Sequence, residues 1–432
     1  MRLVYITAII FTFFISCKKS NSSIASLQNG WANNSINTTI FRKNSLVTYN
    51  DVQYISYYDK DMYVILGKRE YGSSIWQLRK TQYRGNALDA HNAISIITDG
   101  DGYLHMAWNN HNNTLNYCQS IASGSLELTN TMSMTGKLEQ SVTYPEFHKM
   151  LNGDLLFFYR NGESGRGNMV INYYDNSKKK WTQIQSDLID GEGFRSAYWQ
   201  AFVDQNNFIH ISWVWRESGD VSTNHDICYA VSKDGGHSWE KSTGEKYNLP
   251  ITQATAEYVA HIRQHSELIN QTSMCTDEKG VPYIATYWKD KDDIAPQYHI
   301  LYLQDKKWVN RNLSFRTMDF RLTGTGTKMI PISRPQIITW RQYDKSFVAL
   351  IFRDEERGNK VSLAIFDDID KGQCYVTDID ADDMGAWEPT YDTELWKKKK
   401  QLNLYLQHVE QIDAEGRVNV KPELVSVLEW QP

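Results

Sequence analysis

Residues 224–239 read NHDICYAVSKDGGHSW. The last eight, Ser232 to Trp239, match the hairpin pattern S-x-D-x-G-x-x-W, the Asp-box. Asp234 can cap the amides of the turn, Gly236 permits a left-handed backbone, and Trp239 is suited to packing between neighbouring sheets. Looser echoes end at Trp76, Trp181 and Trp308. These residues read as structural. Along the rest of the chain, the unit that recurs is a polar turn followed by an alternating or apolar, aromatic-rich run. The copies are VQYISYY (52–58), GYLHMAW (102–108), GDLLFFY (153–159), NFIHISW (207–213), GVPYIATYW (280–288), SFVALIF (346–352) and LNLYLQH (402–408). Their starts lie about 50 to 70 residues apart, the spacing of a four-stranded propeller blade with variable loops. The expected fold is therefore all-β, a seven-bladed β-propeller filling residues 37–432, with closure by pairing near the two chain ends. Two stacked β-sandwiches would need a Pro/Gly/Ser linker between them, and none stands out.

The 432 residues carry 46 Lys+Arg against 51 Asp+Glu, a net charge of -5. That balance argues against a dedicated nucleic-acid surface, which needs a basic patch. The 26 Tyr and 14 Trp suit strands and also make platforms for sugars. Residues 1–16, MRLVYITAIIFTFFIS, have a basic start and an apolar run too short to span a bilayer, then Cys17. This order is expected of a lipoprotein-type export signal, with 17–36 as a flexible tether. The location expected is exported, on the periplasmic side or outer-membrane surface, with membrane contact only through the lipid. Phe14 departs from the usual leucine of such signals. Cys118, Cys228, Cys275 and Cys374 are too scattered for a disulfide framework. The chain is expected to be a monomer.

Blade scaffolds need few histidines. His91-Asn92 precedes one strand, and Trp108-Asn109-Asn110-His111 follows its partner after the Asp99–Gly102 turn. A hairpin there returns His91 and His111 to one end, the geometry that acid–base chemistry requires. His105 reads as a satisfied interior histidine. Tyr159-Arg160 with its Gly-rich turn, Tyr198, and Trp215-Arg216 form further polar clusters at equivalent positions. An Arg there can grip a carboxylate bidentately.

DAHNAISIITDGDGYLHMAWNNHNNTLNY (89–117), TYPEF (143–147), FYRNGESGRGN (158–168), SAYW (196–199), ISWVWRES (211–218), the 224–239 segment and SRPQI (333–337) together resemble the propeller enzymes of the BNR-repeat class. That class is similar to ulvan lyases and to related enzymes of rhamnose–glucuronate linkages. The resemblance implies a catalytic set of His91, His111, Tyr198 and Arg216, with Asn92, Tyr159, Arg160, Trp215 and Arg334 binding substrate. Tyr159 and Arg160 compete with Tyr198 and Arg216 for the same roles. The implied reaction is β-elimination at a uronic acid of an acidic polysaccharide or oligosaccharide, with no cofactor required for the chemistry. The resemblance also implies a structural zinc, for which His225, His265, Cys275 and His299 have suitable side chains. Related α-L-rhamnosidases use a histidine on the opposite face. The corresponding Phe41–Tyr49 stretch here has none, which weighs against hydrolysis of that kind. A glycoside hydrolase and a silent glycan-binding propeller remain the alternatives.

Overall fold

The computed structural model describes residues 22–40, 43–271 and 273–432. The expected export signal and Cys17 lie outside the described residues, as do Phe41 and Arg42. All seven expected runs fall on strands. Each belongs to a meander of antiparallel strands, here numbered as sheets in chain order. The first sheet comprises Leu46–Tyr49, Val52–Tyr58, Tyr63–Glu70 and Gln77–Arg84. The second is three-stranded, with Ile94–Thr98, Leu104–Trp108 and Tyr117–Gln119. The third holds Val142–Lys149, Leu155–Glu163, Arg166–Asp175 and Lys180–Ile189. The fourth holds Ser196–Val203, Ile209–Arg216, Asn224–Ser232 and Glu257–Ala260; one parallel pairing, Gly167 with Ser196, makes it continuous with the third, and with His111–Asn113 at the far edge the two form one nine-stranded hydrogen-bonded sheet. The fifth runs from Ser273–Thr276 through Pro282–Trp288 and Gln297–Gln304 to Lys307–Asn312. The sixth runs from Gln336–Gln342 through Lys345–Phe352 and Val361–Phe366 to Tyr375–Asp380.

The seventh sheet joins the chain ends. Leu402–Leu406 pairs with Glu423–Trp430, which pairs in turn with Ser22–Gly30. The tether expected over 17–36 is therefore ordered from Ser22 onward: nine residues of it complete the backbone ladder of Glu423–Trp430. A polar sequence sufficed because only Ala25 and Gly30 of that strand are buried.

Inner and outer strands differ for a physical reason. Every residue of Ile94–Thr98 and Leu104–Trp108 is buried, because these strands carry a sheet on each face. The outermost strand of the first sheet, QLRKTQYR, buries one residue, and its charges blunt a free edge. Core clusters join successive sheets. Tyr54, Ile96 and Phe157 link the first three, and Phe158 with Trp213 links the third to the fourth. Val214 with Ile284 links the fourth to the fifth, and Tyr298 with Phe352 the fifth to the sixth. Ile338 with Leu404 links the sixth to the seventh, and Ile55 with Val427 brings the seventh onto the first. First strands of several sheets also border one small cavity, lined by His148, Gln200, Met274 and Gln336 together with Lys43. The Asp-box behaves as its sequence implies. Asp234 Oδ1 accepts from the amides of His237 and Ser238, Gly236 has φ 95°, and Trp239 is fully buried between the third and fourth sheets.

Candidate functional site

The second sheet places His91, whereas His111 opens the short strand His111–Asn113, which pairs with Val142 and Thr143 of the third. The Asp99–Gly102 turn folds Leu104–Trp108 back on Ile94–Thr98, with Asp99 Oδ1 accepting from the amides of Asp101 and Tyr103. His91 and His111 thereby return to one end, as expected. Their rings stack with centroids 4.3 Å apart and planes 19° apart. Asp89 holds both: Oδ1 lies 2.7 Å from His91 Nδ1, and Oδ2 lies 2.6 Å from His111 Nδ1. A second carboxylate, Glu415, stands 3.2 Å from His91 Nδ1. Burial opposes charge on His91, but these two carboxylates outweigh it and raise its pKa to about 9. His111 shifts the other way, because burial and the neighbouring His91 charge outweigh Asp89. Burial alone would raise the Asp89 carboxyl, yet the two imidazoles hold it well below the usual range. At neutral pH the stack is therefore one imidazolium over one neutral imidazole.

The third and fourth sheets supply the rest. Tyr198 lies in the strand paired with Ile209–Arg216, so Arg216 comes from its direct neighbour, and Arg160 comes from the third sheet. The Tyr198 hydroxyl accepts from Arg160 Nη1 at 3.2 Å and from Arg216 Nη1 at 3.5 Å, and lies 2.8 Å from Ser164 Oγ. Burial raises the phenol, but the two guanidiniums overcome that and bring it down to about 8. Gly167 makes room for this arrangement, since a Cβ there would meet Arg160 Cγ at 2.8 Å. Tyr144 bridges the two halves. It sits at φ 56°, where the Val142–Lys149 strand shifts register. Its ring centroid is 6.0 Å from that of His91 and 5.9 Å from that of Tyr198. A bulky side chain held in the left-handed region marks a site worth strain.

His91, Tyr144, Arg216 and Arg334 share one narrow cavity with Thr327 and Lys328, of about 20 Å³, room for roughly one water. Arg334 is held there bidentately by Glu388, with Nε 2.7 Å from Oε1. Arg160 stands beside the Tyr198 hydroxyl, but Tyr159 and Trp215 do not. Strand alternation sends each to the face opposite its arginine neighbour, so Tyr159 is buried among the first three sheets and Trp215 between the third and fourth. Asn92 serves the turn, its Nδ2 donating to the Asn86 carbonyl and its own carbonyl accepting from Tyr58. His105 is interior, bonded to Tyr117 Oη at 2.7 Å.

The four side chains expected around zinc do not converge. His225 is bonded between Glu217 and Asp226, His265 is exposed at φ 60°, Cys275 is buried between the fifth and sixth sheets, and His299 stacks on Trp288. A zinc ion therefore does not fit that set. Among the described residues, two other groups have metal-ligand atoms within 4.8 Å of one another: Asp89, His91 and His111, and Asp290, Asp293 and His299.

Sequence reasoning passed over Asp89, Tyr144, Ser164 and Glu415. The D-x-H spacing of Asp89 and His91 was a usable signal. Glu415 arrives from more than 300 residues away and had none.

Residues 52–316 match the BNR repeat-containing family. The chain belongs to that family. Within it, the chain is distantly related to ulvan-lyase-type polysaccharide lyases. It is 23% identical over 290 residues to the long isoform of the ulvan lyase of Pseudoalteromonas sp. (strain PLSV), covering 53% of this chain and 29% of that protein. It is 22% identical over 290 residues to the ulvan lyase of Nonlabens ulvanivorans, covering 55% of this chain and 58% of that one. The match thus spans less than two thirds of either relative. Two solved structures share the fold of this BNR repeat-containing chain. The polysaccharide lyase Uly1 has a TM-score of 0.63 at 16% identity, covering 97% of this chain and 93% of its own. An ulvan lyase bound to a GlcA(1-4)Rha3S repeat has a TM-score of 0.59 at 16% identity, covering 76% of this chain and 83% of its own.

Proposed function

We propose that this protein is a polysaccharide lyase that cleaves an acidic, uronic-acid-containing glycan by β-elimination on a seven-bladed propeller. The glycan class favoured is rhamnose–glucuronate. The observation that carries the reading is the Tyr198 hydroxyl, set between Arg160 and Arg216 and joined through Tyr144 to the imidazole pair. Elimination needs three things at once: a cation for the carboxylate, a base for the C5 proton and an acid for the departing O4. Arg216, which borders the cavity, neutralises the uronate carboxylate and so stabilises the charge that develops as the C5–H bond breaks. Tyr198, ionised near pH 8, takes that proton. The C4–O4 bond breaks, a C4=C5 double bond forms, and His91 gives its proton to O4. His111 stacks on His91, and Asp89 orients both rings. No water is consumed.

Hydrolysis by the usual route would require two carboxylates flanking the bond. Asp89 is already committed to both imidazoles, and Glu388 to Arg334. The export signal and Cys17 fit a lipid-anchored protein facing such glycans outside the cytoplasm. The test is incubation with ulvan and with defined rhamnose–glucuronate oligosaccharides. Ultraviolet absorbance of an unsaturated uronide, with a matching mass, is expected. A saturated new reducing end would replace this reading with hydrolysis, and unchanged glycan that still binds would replace it with a lectin.

A further inference from the structure

We propose that the small cavity bordered by the first strands of several sheets is a binding site for one small monovalent anion, of the size of chloride, with Lys43 as its counter-charge. The cavity measures about 40 Å³, which admits an ion or a few waters and excludes a sugar ring. Its wall is drawn from distant parts of the chain. Lys43 precedes the first sheet, Gln200 and Gln336 lie on the first strands of the fourth and sixth, and Thr390 comes just before the helix Thr393–Lys399. Each of these four residues is more than nine-tenths buried. Among the described residues, each also carries a polar side-chain atom without a hydrogen-bond partner: Lys43 Nζ, Gln200 Oε1, Gln336 Nε2 and Thr390 Oγ1. Buried polar atoms are nearly always satisfied, so four such atoms on the residues around one cavity point to a shared occupant.

The charge of that occupant follows from the donors. The Lys43 ammonium offers three hydrogens, Gln336 Nε2 two and the Thr390 hydroxyl one. Gln200 Oε1 alone can only accept, and suits a water beside the ion. Burial pulls the Lys43 pKa down to about 8, so at neutral pH the side chain is still mainly an ammonium. An ammonium taken out of water needs an opposite charge close by. The two carboxylates whose charge reaches it are engaged elsewhere, Glu146 by His148 and Glu388 by Arg334. Arg334 adds a like charge, which disfavours a metal cation here. One monovalent anion balances the one ammonium.

An ion also has a way in. Phe202, Val203 and Lys397 are shared with a larger cavity of about 540 Å³, whose wall includes the exposed Lys398. The ion passes the half-buried Lys397. Once bound, it ties the fourth and sixth sheets to the segment before the first, a link that no backbone ladder supplies. The site is independent of the proposed elimination chemistry.

The experiment follows thermal unfolding of the full chain at constant ionic strength, with sodium chloride or bromide replacing sodium gluconate, whose anion is too large for the cavity. The wild-type Tm is expected to rise with the logarithm of chloride above a threshold concentration, as for one site on the native state. Lys43→Met should lose that rise, while its Tm in gluconate stays at or above the wild-type value because an unpaired buried charge has gone. Gln336→Met keeps the lysine and should move the threshold up by about 2- to 10-fold. Crystals soaked in bromide should show an anomalous peak beside Lys43 Nζ. No chloride-specific rise in the wild type and no bromide peak would overturn the proposal and leave only water in the cavity. An equal rise in Lys43→Met would overturn it too, by placing the anion elsewhere, such as at Arg160 and Arg216. Both outcomes are read without the glycan assay.

Discussion

Asp89 acts on the charge of both stacked imidazoles, yet it does not line the His91 cavity. The proposed reaction needs Tyr198 ionised and His91 protonated. The rate should therefore rise as pH passes about 8, where the phenol loses its proton, and fall as pH passes about 9, where His91 loses its own. Tyr198→Phe should lower kcat by about 10²- to 10⁴-fold with a much smaller change in KM, the range for loss of a general base. Asp89→Asn removes a carboxylate that raises the His91 pKa, so its descending limb should move to lower pH. A merely structural role for Asp89 would lower the rate and leave the limb where it was. Steady-state pH profiles of the three proteins decide this.

Single hairpins were the most legible elements. Asp59, Asp99, Asp204 and Asp277 each accept from the amides two and four residues on, so a turn begins wherever such an aspartate ends an apolar run. The same regularity, read from the sequence alone, puts His91 and His111 at one end of a hairpin. What failed was the facing of side chains within a strand. Tyr159 and Trp215 sit beside site arginines in sequence, and the two-residue period of a strand sends them into the core. The Asp-box gives the element-scale prediction. Trp239 is fully buried and its Nε1 donates to the Gly236 carbonyl at 3.1 Å. Trp239→Ala should destabilise the chain by about 3–5 kcal/mol, while Asp234→Ala, which removes only turn caps, should cost about 1 kcal/mol. Denaturant unfolding of the two variants measures both, and equal losses would deny the tryptophan its place between the third and fourth sheets.

Across the whole molecule, the arrangement that sequence repeats cannot reveal is how the two ends meet. Each of the seven apolar runs falls in an antiparallel strand group, but the strand that completes the last group, SSIASLQNG, is polar and buries two of nine residues. Its stabilising role comes from the backbone ladder to Glu423–Trp430, which no hydrophobic pattern records. Without it the seventh sheet would keep two strands, a marginal arrangement, and would present Glu423–Trp430 as an open edge. That sheet also packs on the first through Ile55, Tyr405 and Val427. Loosening it would therefore weaken both neighbours and the ring proposed here. A chain beginning at Ser22 should unfold at the same temperature as the full chain. One beginning at Trp31 should unfold at a lower temperature and self-associate through the freed edge. If the shorter chain matched the longer in Tm and stayed monodisperse, the contact between the chain ends would be incidental, and closure of a seven-bladed ring would have to rest on side-chain packing alone.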